Sequence, residues 1–78
     1  MKQFNYEHLA QALRRAQFVP TKVSQHNIRW EKLEVDGTTH RVILRNEKLA
    51  KVPSSVLQRL LSHAGMTESD LLDTLGWK

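Results

Sequence analysis

Four histidines, His8, His26, His40 and His63, are the side chains of this chain best suited to proton transfer, because an unperturbed imidazole titrates near ~6.5. Their spacing separates them. They are scattered, with no H-x-x-x-H pair and no cysteine, so no metal site of the usual ligand spacing is expected. A glycine-rich phosphate loop and a G-x-S-x-G elbow are also absent, and no cofactor is expected. His8 and His63 fall in helical segments, where a surface or packing role is the default. His26 differs because it stands where a turn enters a strand, with Lys22, Arg29 and Lys32 close in sequence. A cationic field of that kind could hold a phosphate, and a lone imidazole beside it could act as general base or acid without a metal. The structural alternative is that His26, which has the parity of Ile28 and Trp30, packs at the rim of a core.

The elements that must position His26 are written in residues 23–46. Asp36-Gly37 lies between two runs rich in β-branched and aromatic residues and matches a two-residue type I′ turn. Residues 26–35 and 39–45 are therefore predicted as paired antiparallel strands. In the register this turn sets, Leu33, Val35, Val42 and Leu44 share one face, and Ile28 and Trp30 fall on the other. A one-residue bulge near Glu31 or Lys32 would bring all six together and leave Arg29, Arg41 and Arg45 on the opposite face.

Around this hairpin the remaining patterns are helical or edge-like. Asn5 caps a first helix over about 6–17, Phe4 can staple onto Leu9, and Tyr6, Leu9, Ala10, Leu13 and Ala16 form its apolar stripe. Phe18-Val19-Pro20 opens a short edge strand, 18–23, since proline cannot donate to a ladder. Residues 46–51 read as a polar connection. A second helix is predicted from a capping box, Ser55 to Gln58, with Val56, Leu57, Leu60, Leu61 and Ala64 facing inward and Gly65 as its stop. Thr67 caps a third, short helix that carries Leu71, Leu72 and Leu75 and ends at Gly76. The fold class is therefore α+β: an α-β-β-β-α two-layer sandwich, a three-stranded antiparallel sheet with the helices on one face, plus a short C-terminal helix.

Seventy-eight residues are enough for one domain, residues 1–78, and a chain this short buries only roughly 60% of its unfolded surface. The absence of cysteine excludes disulfides and thiolate chemistry and suits a reducing cytoplasm. No signal-like apolar stretch or membrane span is expected. The net charge is +4, distributed unevenly: eleven basic against five acidic residues up to position 65, one against three beyond it. A basic body with an acidic tail suits a polyanionic partner at the body.

Several segments resemble one family in order along residues 6–75. They are Leu-Arg-Arg-Ala-Gln-Phe-Val at the end of the first helix, Ser24-Gln25-His26 leading into an aromatic strand, a Val-Ile-Leu strand, and Val-Pro-Ser-Ser-Val-Leu-Gln-Arg-Leu-Leu-Ser-His-Ala-Gly-Met-Thr-Glu-Ser-Asp-Leu. The family is that of the HicA toxin ribonucleases, small proteins with a double-stranded-RNA-binding-domain-like fold. The resemblance implies a metal-independent mRNA interferase of a toxin-antitoxin system, with the catalytic histidine of a glycine-serine-histidine motif falling on His26. It also implies RNA as substrate and a HicB-like antitoxin as protein partner. Here the motif reads Ser24-Gln25-His26, and Gln17 stands where the family has a glycine.

Two functions follow as expectations. In the first, His26 is the general acid or base of RNA cleavage, and Lys22, Ser24, Arg29, Lys32, Arg41, Arg45 and Lys48 contact the RNA. In the second, the chain is a non-catalytic nucleic-acid-binding or regulatory module that uses Arg14, Arg15, Arg29, Arg41, Arg45 and Lys48, mostly on phosphate.

Overall fold

A computed structural model describes residues 3–77. Its elements run α1 (Tyr6–Arg15), β1 (Val19–Val23), β2 (Asn27–Leu33), β3 (Thr39–Arg45), α2 (Ser54–Ala64) and α3 (Glu68–Leu75). The three strands form one antiparallel sheet in the order β1-β2-β3, so the α+β architecture expected from the sequence is present. All the buried strand residues lie on one sheet face, where Trp30, Val42 and Leu44 meet Leu9, Leu13, Leu57, Leu61 and Leu71 in a single apolar cluster. Trp30 is 1% exposed, and removing its roughly 200 Å² from water contributes about 5 kcal/mol.

The hairpin reaches this arrangement differently from the expectation. Leu33 pairs with Thr39, Glu34 N–H donates to the Thr38 carbonyl at 2.7 Å, and Gly37 takes a φ of 92°. The loop is therefore three residues, Val35-Asp36-Gly37, with glycine in the left-handed position. Asp36 Oδ1 accepts the Thr38 N–H at 2.9 Å, which holds its carboxyl below the usual aspartate range. One extra loop residue shifts the register by one. Ile28, Trp30, Val42 and Leu44 then share the core face with no bulge between β2 and β3. Leu33 and Val35 are exposed instead of buried. The irregularity the sheet does contain lies between Pro20 and Lys22 of edge strand β1.

The four backbone N–H groups at the start of α1 that lack intrahelical partners are all satisfied. Asn5 and His8 cap each other, with His8 N–H on Asn5 Oδ1 at 2.9 Å and Asn5 N–H on His8 Nδ1 at 3.1 Å. The N–H groups of Tyr6 and Glu7 donate to the carbonyls of Ala50 and Lys48. The connection after β3 thus caps the first helix from outside, a use that its polar composition did not reveal. α2 starts one residue before the expected Ser55 cap. Its N-cap is Pro53, with no side-chain cap, because Ser55 already lies within the first helical turn. α3 carries the Thr67–Asp70 capping box and ends at left-handed Gly76. Phe4, buried in the same cluster as Leu9, stacks on Trp77 at 5.3 Å, and His8 meets the edge of that indole. Among the described residues no helix is long and apolar enough to cross a membrane.

Candidate nucleic-acid interface

His26 lies in the turn Ser24–Asn27 between β1 and β2, and its side chain is exposed rather than packed at a rim. The turn holds itself: Ser24 N–H donates to the Asn27 carbonyl at 2.8 Å, and Asn27 N–H donates to Ser24 Oγ at 3.1 Å. Asn46, just beyond β3, then ties the turn to the sheet. Its backbone N–H donates to the His26 carbonyl at 2.8 Å, and its Nδ2 donates to the Ser24 carbonyl at 3.0 Å. The backbone of His26 is fixed from two sides. Among the described residues its imidazole makes no hydrogen bond or ion pair, so both ring nitrogens are available to a bound molecule.

Beside this turn a cleft of about 170 Å³ opens between α1 and the end of the sheet, floored by Ile28 and Trp30 and rimmed by Arg14, Arg45, Asn46 and Lys48. Glu7 and Gln11 complete its helical wall. Arg14 sits over the Trp30 ring at 5.5 Å, a cation–π contact that holds the guanidinium above the floor. Arg45 and Lys48 of the predicted contacts are therefore brought together here. Asn46 and this placement of Arg14 were not foreseen. An asparagine closing a polar run after a strand was the available signal, but its partner lies 22 positions away.

The other predicted residues are spread over the sheet. Lys22 pairs across the ladder with Arg29 on the outer face. Arg29 is held by Glu31 at 3.3 Å and by the Thr21 hydroxyl at 3.2 Å, and Arg41 reaches the same carboxylate at 3.2 Å. Glu31 also accepts the Thr21 hydroxyl at 2.7 Å. That bond first, and then the two arginines, lower the pKa of its carboxyl. Lys32 is on the core face with the parity of Trp30, near Glu34 and 5.9 Å from the Phe18 ring centroid. Six strand residues from His26 put it about 20 Å away. The expected cluster of Lys22, Arg29 and Lys32 around His26 does not form, because alternate strand residues face opposite ways. Ser24 uses its hydroxyl in the turn. Arg15 donates to the Thr74 carbonyl at 2.9 Å and so ties the end of α3 to α1.

A second basic concavity was missed altogether. Lys51, Arg59 and His63 join Arg41 and Arg45 around a groove of about 750 Å³ between β3 and α2. The signal was present as Val56, Arg59, Leu60 and His63 at helical spacing, one stripe of α2 with cations among its apolar residues. Neither a scan against protein-family models nor comparison with curated proteins and with solved structures finds a match for this chain.

Proposed function

We propose that this chain is an RNA-binding ribonuclease of the HicA-like toxin type, in which His26 moves the proton of a metal-independent cleavage. One observation carries the reading: an exposed, unpaired imidazole stands on a turn whose backbone Asn46 anchors twice, and Asn46 itself lines the cleft rimmed by Arg14, Arg45 and Lys48. In this chemistry the imidazole takes the proton of a ribose 2′-hydroxyl, or returns one to the leaving oxygen. The 2′-oxygen forms a bond to the adjacent phosphorus, the P–O5′ bond breaks, and the leaving 5′-oxygen is protonated. The cleft cations would offset charge growing on the phosphorane, and preorganised charge of this kind is usually the largest catalytic contribution of a site. A HicB-like antitoxin covering the basic surface and masking His26, and a cytoplasmic setting, belong to the same proposal. Such a partner would add stability by mass action.

The test is His26→Ala. Loss of RNA cleavage in vitro and of growth arrest on expression is expected, with an unchanged circular dichroism spectrum; undiminished cleavage would remove His26 from the chemistry. A second reading, a non-catalytic nucleic-acid-binding module, is favoured by one specific observation. Lys22 and Arg29 pair on the outer sheet face and Lys32 lies about 20 Å along the strand, so the cations expected around His26 do not stand beside it. RNA binding that weakens steeply with salt and yields no cleavage product would establish the module instead.

A further inference from the structure

β3 is the last strand of the sheet, and its outer edge is a feature separate from His26. The ladder determines which backbone groups on that edge are engaged. Glu34 N–H reaches the Thr38 carbonyl and Asn46 N–H reaches the His26 carbonyl. With residues 28 and 44, and 30 and 42, in register between these bonds, the alternation directs the N–H and C=O of His40, Val42 and Leu44 toward β2. Arg41, Ile43 and Arg45 direct theirs outward. Those groups open into the groove whose far wall is the stripe Val56, Arg59, Leu60 and His63 of α2. Arg41, Arg45, Lys51 and Arg59 line it, and among the described residues no aspartate or glutamate does. Arg41 and Arg45 are held by Glu31 and Glu47 in surface pairs that a partner carboxylate can replace.

We propose that this edge takes one extended acidic segment of a partner protein as a fourth, antiparallel strand, with main-chain hydrogen bonds to Arg41, Ile43 and Arg45. Strand addition at a free sheet edge is an established mode of peptide recognition, in which backbone bonds give affinity and alternate side chains give specificity. Three observations select the occupant. The edge presents N–H and C=O groups in pairs at strand spacing, which the main chain of an extended peptide matches group for group and a sugar-phosphate backbone does not. Ile43, 54% exposed, together with Val56 and Leu60, supplies apolar surface that a peptide side chain can cover. A second copy of this chain is disfavoured, because antiparallel pairing of two β3 edges about Ile43 sets Arg41 of each against Arg45 of the other. Like charges directly opposite destabilise a sheet.

The same geometry specifies a sequence pattern. Residues opposite Arg41 and Arg45 are acidic, and the one opposite Ile43 is β-branched. The two between them turn toward α2 and are apolar. The proposal is independent of the RNA reading, although Arg41 and Arg45 are candidates in both.

The probe is the capped peptide Ser-Glu-Val-Ile-Val-Glu-Ser, titrated into the full-length, isotope-labelled chain beside a peptide of the same residues with the two glutamates adjacent. The patterned peptide is expected to bind about tenfold more tightly and to slow amide exchange at Arg41, Ile43 and Arg45. Ile43→Pro removes an outward N–H and no ladder bond, so it is expected to abolish peptide binding with an unchanged circular dichroism spectrum. Should that variant fail to fold, Arg41→Glu with Arg45→Glu is expected to transfer the preference to the peptide in which both glutamates are lysine. Equal affinity for the two glutamate peptides would overturn the proposal. So would protection of the same three amides by a single-stranded oligonucleotide in place of the peptide, or by raising the protein concentration alone.

Discussion

Gln17 has a φ of 76°, the one left-handed residue other than glycine among those described. It follows the Ala16 C-cap of α1, where Gln17 N–H donates to the Arg14 carbonyl and Phe18 N–H to the Leu13 carbonyl. This paired pattern ends the helix two residues short of the expected position 17 and turns Phe18 into the core beside Leu13. A side chain with a Cβ is strained there, and glycine is not, although glycine loses more chain entropy on folding. Gln17→Gly is expected to stabilise the fold by about 0.5–1 kcal/mol net and to raise the melting temperature by roughly 4 °C. A lower melting temperature in calorimetry would contradict the strain argument. Glu31 makes a second residue-scale case. The Thr21 hydroxyl and two arginines lower its pKa from the ordinary 4.5, so the folded state binds its proton less readily than the unfolded chain. The resulting stability is complete above that ordinary value and is lost as pH falls through the lowered one. The denaturant midpoint of the wild type should therefore exceed that of Glu31→Gln at neutral pH, and the gap should close under acid.

Among the elements, the turn that carries His26 depends on a residue outside it. Asn46 contributes one side-chain bond to Ser24 and one backbone bond to His26. Asn46→Ala removes only the first. An exposed hydrogen bond of this type contributes about 1 kcal/mol, so a modest loss in urea midpoint is expected. In the proposed reaction, RNA cleavage should fall about tenfold as the imidazole loses its fixed position. Cleavage at the wild-type rate would mean that the turn positions itself without the sheet. The connection from Asn46 to Val52 has a comparable double role, since its carbonyls cap α1 while Lys48 within it and Arg45 just before it rim the cleft. Helix capping and the placement of Lys48 thus share one segment.

Across the whole molecule, charge is gathered in patches rather than by layer, since α1 and α2 also carry Arg14, Arg15 and Arg59 and Glu31 stands among the sheet arginines. The outer sheet face and β3 edge carry Arg29, Arg41 and Arg45, whereas Glu68, Asp70 and Asp73 lie on α3, which Arg15 ties to α1. Surface pairs such as Arg45 with Glu47 at 3.1 Å contribute little and exchange readily for a phosphate. If RNA binds as proposed, contact of single-stranded RNA with Arg14, Arg45 and Lys48 would release counterions from about three phosphates, so log K against log salt should have a slope of about −2. A fluorescence-anisotropy salt series reads this directly. A slope near zero would mean that phosphate is not what the cleft binds.

Helix and strand existence was legible in the sequence because it follows from short-range signals. The stripe from Tyr6 to Leu13, the Thr67 cap, the stops at Gly65 and Gly76, and the β-branched runs around Asp36-Gly37 each specify structure within a few residues. The loop length did not follow, because Asp36-Gly37 suits a two-residue or a three-residue turn equally and only the burial of Trp30 and Ile28 beside Val42 and Leu44 selects the second. That one-residue difference also decides which cations share a face. It sends Lys32 to the core side and gathers Arg29, Glu31 and Arg41 on the other. His26 was legible as an imidazole at a turn, but its anchor in Asn46, the Arg14 that joins its cleft, and the facing of Arg59 and His63 toward β3 were not. These depend on which strand lies at the edge and which helix lies beside it, long-range choices made by packing that local periodicity does not encode.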